Sequence, residues 1–182
     1  MTLHDAARTN DLEALEELVS AGADVDDTHA PAHERPLHVA AREGKEDIAR
    51  YLLSHGAEVD ARDDLLVTPL GYASYYNHLP VIRILVAAGA DVNAVDAQGD
   101  HPLGAAAWME NVDAVRVLLE AGADASRPLH RFIAGRWMRT VMDIVAYAAG
   151  PDRKDALWDL LCEKRPDEVM AWWTGESNRA HP

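Results

Sequence analysis

The alternation of apolar and polar positions falls into short helical pairs separated by polar turns. In Pro36-Leu37-His38-Val39-Ala40-Ala41, proline suits the first turn of a helix, where its missing N–H is no loss. Leu37, Ala40 and Ala41 place small and apolar groups on one side, which predicts a short helix able to pack closely. After Gly44, Ile48, Tyr51, Leu52 and Leu53 recur at helical spacing and predict a second helix, with Gly56 as its C-terminal cap. Polar segments such as Asp96-Ala97-Gln98-Gly99 read as projecting turns. Near the end, Asp155 to Trp173 reads as a helical cap with Leu157, Leu160 and Leu161 on its apolar side and Pro166 as its stop.

This pattern repeats. Leu3-His4-Asp5-Ala6-Ala7 returns from Leu37, Leu70 and Leu103, in steps of 34, 33 and 33 residues. A second marker keeps the same beat, beginning at Gly22-Ala23-Asp24, Gly56-Ala57-Glu58, Gly89-Ala90-Asp91 and Gly122-Ala123-Asp124. No unit of helix, helix and turn can bury its apolar face alone, so the units must stack.

The signature resembles that of the ankyrin repeat, T-P-L-H-x-A at a 33-residue period. Thr68-Pro69-Leu70 matches its opening, and Arg35-Pro36-Leu37 and His101-Pro102-Leu103 vary the first residue. The resemblance runs from Leu3 to about Leu161 and implies an all-α solenoid of about five helix-turn-helix units with projecting turns. The expected organisation is one domain over 1–174, in units 1–34, 35–67, 68–100, 101–139 and 140–174, then a frayed tail over 175–182. The fifth unit, around Thr140-Val141-Met142-Asp143, is degenerate, as a terminal unit facing water should be. Gly71 and Gly104 stand where the family has histidine, which predicts less rigid third and fourth units; Leu66 stands where Gly99 stands in the next turn, which predicts a differently shaped finger.

The resemblance also implies a concave face of turns and first helices that grips partners. Its variable positions map onto Leu65 and Val67, Gln98 and Asp100 in the turns, and Tyr75-Tyr76 and Trp108-Met109 after the small-residue pairs. Trp, Tyr and Met are enriched at the centres of interfaces, so these eight residues form the first candidate site. For each ring, packing against a neighbouring helix is the competing reading.

A longer step of 39 residues separates Leu103 from Met142 and holds Arg127, Arg131, Arg136 and Arg139 with Phe132 and Trp137. Arg131, Phe132, Arg136 and Trp137 are candidates either to anchor an acidic or planar group of a partner or to fold over the C-terminal end as a lid. Trp172 and Trp173 are read as cover for the last unit or, alternatively, as a surface for stacking between chains.

Composition narrows the function. A net charge of −14, from 31 acidic and 17 basic side chains, argues against nucleic acid and favours a protein partner, possibly a basic one. The start of the chain lacks the pattern of a signal peptide and no apolar run is long enough to span a membrane, which predicts a cytoplasmic protein, monomeric alone, with no membrane contact. Cys162 is the single cysteine and sits beside Asp159 and Glu163, a poor setting for a nucleophile. His29, His33 and His38 match no ligand spacing. The expectation is a non-catalytic module with no cofactor and no metal that acts as inhibitor, adaptor or scaffold. The alternatives are an acidic immunity protein neutralising a basic toxic enzyme and, behind it, a metal-dependent enzyme using the histidine-rich finger.

Overall fold

The structure is a computed structural model. It describes residues 1–28, 31–127, 129, 131–133, 136–138, 140–141, 156–164, 166–167 and 169; the side chains of 31, 131–133, 136–138 and 156–158 are not described. Four helix pairs follow one another: α1 (Leu3–Thr9) with α2 (Leu12–Ser20), α3 (Pro36–Arg42) with α4 (Glu46–Ser54), α5 (Pro69–Tyr75) with α6 (Leu79–Ala87), and α7 (Pro102–Trp108) with α8 (Val112–Glu120). A helical turn at Pro31–His33 precedes α3, and α9 (Ala156–Lys164) packs on α8. The first helices stack in the order α1, α3, α5, α7, and the second helices α2, α4, α6, α8 stack beside them.

Residue size explains the layering. Leu15, Leu37, Leu52, Leu70, Leu85, Leu103 and Leu118 are fully buried, one per helix from α2 to α8. Each contributes at most about 2 kcal/mol of burial. The first helices carry Ala6-Ala7, Ala40-Ala41, Ala73-Ser74 and Ala106-Ala107 at their contact positions, all buried, so neighbouring backbones can approach. The Ser74 hydroxyl is satisfied within its own helix by donating to the Leu70 carbonyl at 2.7 Å.

Side chains stitch one unit to the next at fixed places in the repeat. The Glu58 N–H donates to the Asp26 carboxylate at 3.1 Å, the Asp91 N–H to the Asp60 carboxylate at 3.0 Å, and the Asp124 N–H to Asn93 Oδ1 at 2.9 Å. These bonds give the recurring Gly-Ala-Asp marker a physical role, because the N–H of its third residue donates to the polar residue two places beyond the same position in the preceding marker. On the other side of the stack, His78 Nε2 donates to the Arg42 carbonyl at 2.9 Å and Asn111 Nδ2 to the Tyr75 carbonyl at 2.9 Å.

Two features differ from the sequence reading. Leu66 has φ 59 and Gly99 φ 80, both left-handed, and the Leu66 and Gly99 N–H groups donate to the Asp63 and Asp96 carbonyls at 2.9 and 3.0 Å. The two fingers therefore share one turn geometry, and Leu66 adopts a conformation that costs a side-chain-bearing residue about 1–2 kcal/mol. The second is the inserted finger, where β1 (Arg131–Ile133) and β2 (Arg136–Met138) pair antiparallel, Phe132 opposite Trp137. This short ribbon is an addition to an otherwise helical solenoid. Residues 142–155 and 170–182, which include most of the predicted fifth unit and Trp172 and Trp173, lie outside the described residues. Among the described residues no helix is long and apolar enough to cross a membrane.

Candidate binding face

The unit-to-unit junctions on the finger side are organised around one histidine position. In the first unit His4 Nε2 donates to the Glu34 carbonyl at 2.8 Å. In the second, the fully buried His38 donates from Nε2 to the carbonyls of Ala61 (3.0 Å) and Val67 (3.1 Å), while its Nδ1 accepts the Arg35 N–H at 3.0 Å. That set of bonds fixes the neutral tautomer, and burial lowers the proton affinity of the ring despite nearby Asp63. The imidazole plugs the junction and ties the second unit to the third finger.

The third and fourth units have glycine at this position, and the cap passes to the residue three places earlier. Thr68 Oγ1 accepts the Gly71 N–H and His101 Nδ1 accepts the Gly104 N–H, each at 3.3 Å. His101 is itself buried, which with the Arg127 charge pushes it down to about 4, so it is neutral at physiological pH. At Gly104 the vacated space is filled: a Cβ there would lie 2.6 Å from a methyl of the buried Leu129, supplied by the inserted finger. Among the described residues Gly71 has no such plug.

An open cavity of about 270 Å³ lies there, bordered by the third finger at Leu66, Val67 and Thr68, by Gly71, Tyr72, Tyr75 and Tyr76 of the third unit, and by Ala94, Asp96, Asp100 and His101 of the next finger. Its wall is largely apolar and aromatic. Tyr72 is held by its hydroxyl, which donates to Asp63 Oδ2 at 2.7 Å; that same carboxylate accepts the Leu65 and Val67 N–H groups at 2.9 Å. Burial and the bond to Asp63 raise the Tyr72 phenol far above its usual range. Tyr75 and Tyr76 meet edge to face with ring centres 5.0 Å apart.

The eight positions mapped from the turns and first helices are not equivalent in space. Val67, Tyr75, Tyr76 and Asp100 line the cavity. Asp100 is only 3% exposed, because its N–H is drawn onto the Asp96 carboxylate at 2.8 Å as the chain turns into α7; it is a wall residue, not a projecting one. Leu65 is 50% exposed, Gln98 is exposed and Met109 is 41% exposed, all outside the cavity wall. Trp108 is half-buried and packs against the core. The side chains of Arg131, Phe132, Arg136 and Trp137 lie outside the described structure; only their backbone ribbon is seen. Among the described residues no group of three or more His, Cys, Asp or Glu side chains could hold a metal ion.

The wall residues Leu66, Gly71, Tyr72, Ala94, Asp96 and His101 were not among the candidates of the sequence reading. A signal for them exists in register. Ala94 and Asp100 lie 33 residues beyond Ala61 and Val67, the acceptors of His38, just as Gly71 lies 33 residues beyond His38 itself.

Comparison with known proteins agrees with this architecture. A family model described as ankyrin repeats (3 copies) matches residues 3–96 and 67–128. Protein phosphatase 1 regulatory subunit 27 of Homo sapiens is 45% identical over 68 residues, which cover 34% of this chain and 40% of that protein. Serine/threonine-protein kinase 12 of Arabidopsis thaliana is 38% identical over 81 residues, covering 42% of this chain and 16% of the kinase. The ARF GTPase-activating protein Git of Drosophila melanogaster is 38% identical over 76 residues, covering 42% of this chain and 10% of that protein. The chain thus spans less than half the length of these curated relatives.

Proposed function

The chain belongs to the ankyrin-repeat family, whose repeats serve as protein-interaction modules, and from that premise we propose that it is a non-catalytic module whose third and fourth units hold a partner protein. The observation that carries this reading is the apolar cluster on one face of adjacent units. Leu65 and Leu66 of the third finger, Tyr76 of the third unit, Val95 of the next finger and Met109 of the fourth unit are all exposed large hydrophobics, and Leu66 and Tyr76 line the tyrosine-walled cavity. Apolar side chains gathered at one place on a surface mark a contact site, whereas the same number scattered would not. Tyr76 and Met109 occupy the same place in successive repeats, at the C-terminal caps of α5 and α7, so one extended segment of a partner can lie across both.

Binding of this kind acts by occupancy, as inhibitor, adaptor or scaffold. The likeness to a phosphatase regulatory subunit supports a regulatory role of the same general sort. The net charge of −14 favours a basic partner by speeding encounter and disfavouring acidic competitors.

The test is quantitative co-purification from the native cells with Tyr76→Asp/Met109→Asp, against Arg50→Ala on helix α4 as control. The double variant should retain less than about a tenth of the partner, since two buried contacts of this size exceed 1.4 kcal/mol together, and Arg50→Ala should retain it all. Unchanged retention by the double variant would place the binding site elsewhere.

A further inference from the structure

On the reading that the third and fourth units hold a partner protein, we propose that the cavity between them receives a single leucine side chain of that partner. The leucine is carried on an extended segment with basic residues close on either side.

The molecule itself shows what such a place accepts. Helices α5 and α7 open with the same Pro-Leu-Gly, and in each the glycine N–H donates to the cap residue at 3.3 Å. Beside Gly104 this frame holds Leu129, which is 3% exposed and has a methyl 2.6 Å from where a Cβ would stand. Beside Gly71 such a Cβ would meet Val67 Cγ1 at 3.1 Å and Thr68 Oγ1 at 3.7 Å, both from the residues leading into α5. Among the described residues no atom of a later unit comes within 4 Å of it, and about 270 Å³ stays open. An enclosed apolar cavity of about 150 Å³ is enough for benzene. The space therefore takes one branched side chain together with the stretch of main chain that bears it.

The wall selects an apolar group. Leu66, Val67, Ala94 and three tyrosine rings supply most of its surface. Its polar groups are drawn into the chain's own bonds. The Tyr72 hydroxyl donates to Asp63 at 2.7 Å, Thr68 Oγ1 accepts the Gly71 N–H, and Asp96 Oδ1 accepts the Gln98 and Asp100 N–H groups at 2.9 and 2.8 Å. An amide, hydroxyl or charged group entering there gives up its hydration and must compete with these bonds, whereas an aliphatic side chain has only solvent to displace.

Charge selects what carries the leucine. The chain has a net charge of −14, and the exposed Asp64 and Glu110 stand next in sequence to the exposed Leu65 and Met109. Basic residues beside the anchor complement this field. The molecule's own plug has that composition: Leu129 lies between Arg127 and Arg131, and Arg127 Nη1 donates to the Asn93 carbonyl of the neighbouring finger.

The experiment titrates the capped peptide acetyl-Arg-Pro-Leu-His-Arg-amide, the sequence of residues 127–131, into the whole chain and follows backbone amide resonances. Saturable shifts should centre on Gly71, Tyr72 and Ala94, with an affinity on the order of millimolar. The same peptide with alanine or glutamine in place of leucine keeps the charge and should bind at least about tenfold more weakly. Gly71→Leu should abolish the shifts by filling the space from within; Val67 Cγ1, 3.1 Å from the new Cβ, must give by a few tenths of an ångström. Absence of saturable shifts in the wild-type chain overturns the proposal without reference to any variant. Equal binding of the alanine peptide overturns it by leaving charge alone as the attraction. Shifts centred on Gly104 overturn it too, since the peptide would then be displacing Leu129. Unchanged binding by a folded Gly71→Leu chain has the same consequence. Loss of the partner in Tyr76→Asp/Met109→Asp together with no peptide binding would keep the face and remove the leucine. Retention of the partner by that double variant is the separate outcome that removes the face.

Discussion

The second and third units have nearly the same backbone and opposite junctions. In the second, His38 fills the space against the next finger and joins two of its carbonyls; in the third, Gly71 leaves that space open to solvent. The fourth unit shares the glycine but receives Leu129 from outside the repeat. A solenoid can thus keep its stack while one junction is left unfilled, because the leucine layers and the side-chain stitching between units do not depend on the plug. An unfilled junction costs local stability and supplies a recess between two fingers, open to solvent and largely apolar in its wall.

The strongest way to break the comparison is His38→Gly, which makes the second unit a copy of the third. It removes a buried ring with three hydrogen bonds and adds a helical glycine, so unfolding free energy in urea should fall by about 3–4 kcal/mol. A loss below about 1 kcal/mol would mean that the junction was never held by the ring.

The pH dependence of the fourth unit gives the next effect. The unfolded chain protonates a histidine near 6.5, whereas folded His101 resists until about 4. Stability due to this residue is therefore full above pH 6.5 and is lost as pH falls from 6.5 toward 4. His101→Thr reproduces the cap that Thr68 makes in the third unit. Between pH 7 and pH 5 the wild-type chain should lose on the order of 2 kcal/mol more than the variant in paired urea titrations. Parallel curves would mean that the ring reaches solvent in the folded state.

The smallest effect sharpens the view of the finger beside the cavity. Leu66→Gly relieves a left-handed leucine at φ 59 but loosens the unfolded chain, so the net gain should be about 0.5 kcal/mol by thermal melting. A loss of more than about 1 kcal/mol would show that the Leu66 side chain packs in solution despite its exposure.

The period, the helix pairs and the Gly-Ala-Asp closure were legible in the sequence because each rests on a contact that recurs at every step. Val67, Tyr75 and Tyr76 were legible as surface positions for the same reason. Asp100 was misplaced because a turn residue reads as projecting until its N–H is seen drawn to the Asp96 carboxylate. Trp108 has the residue type of an anchor, but its ring packs against the core, a choice that composition does not settle. Gly71 was read as marking a less rigid unit; that it opens a cavity depends on what else reaches the place, and at Gly104 a leucine 25 residues further along does. The three-residue strands of the inserted finger are too short for alternation to be visible.

The Asp26, Asp60 and Asn93 bonds have a bearing on how such a chain changes length over generations. Each acceptor belongs to one unit and each donor to the next, so the join lies on the seam and is the same kind of join at every seam. Excising one whole 33-residue step would bring Asp60 against the Asp124 N–H in place of the Asp91 N–H, and duplicating a step would add one more identical pair. Lineages of this chain can therefore lengthen or shorten by whole units without inventing a new seam, while the open junction travels with whichever unit carries Gly71.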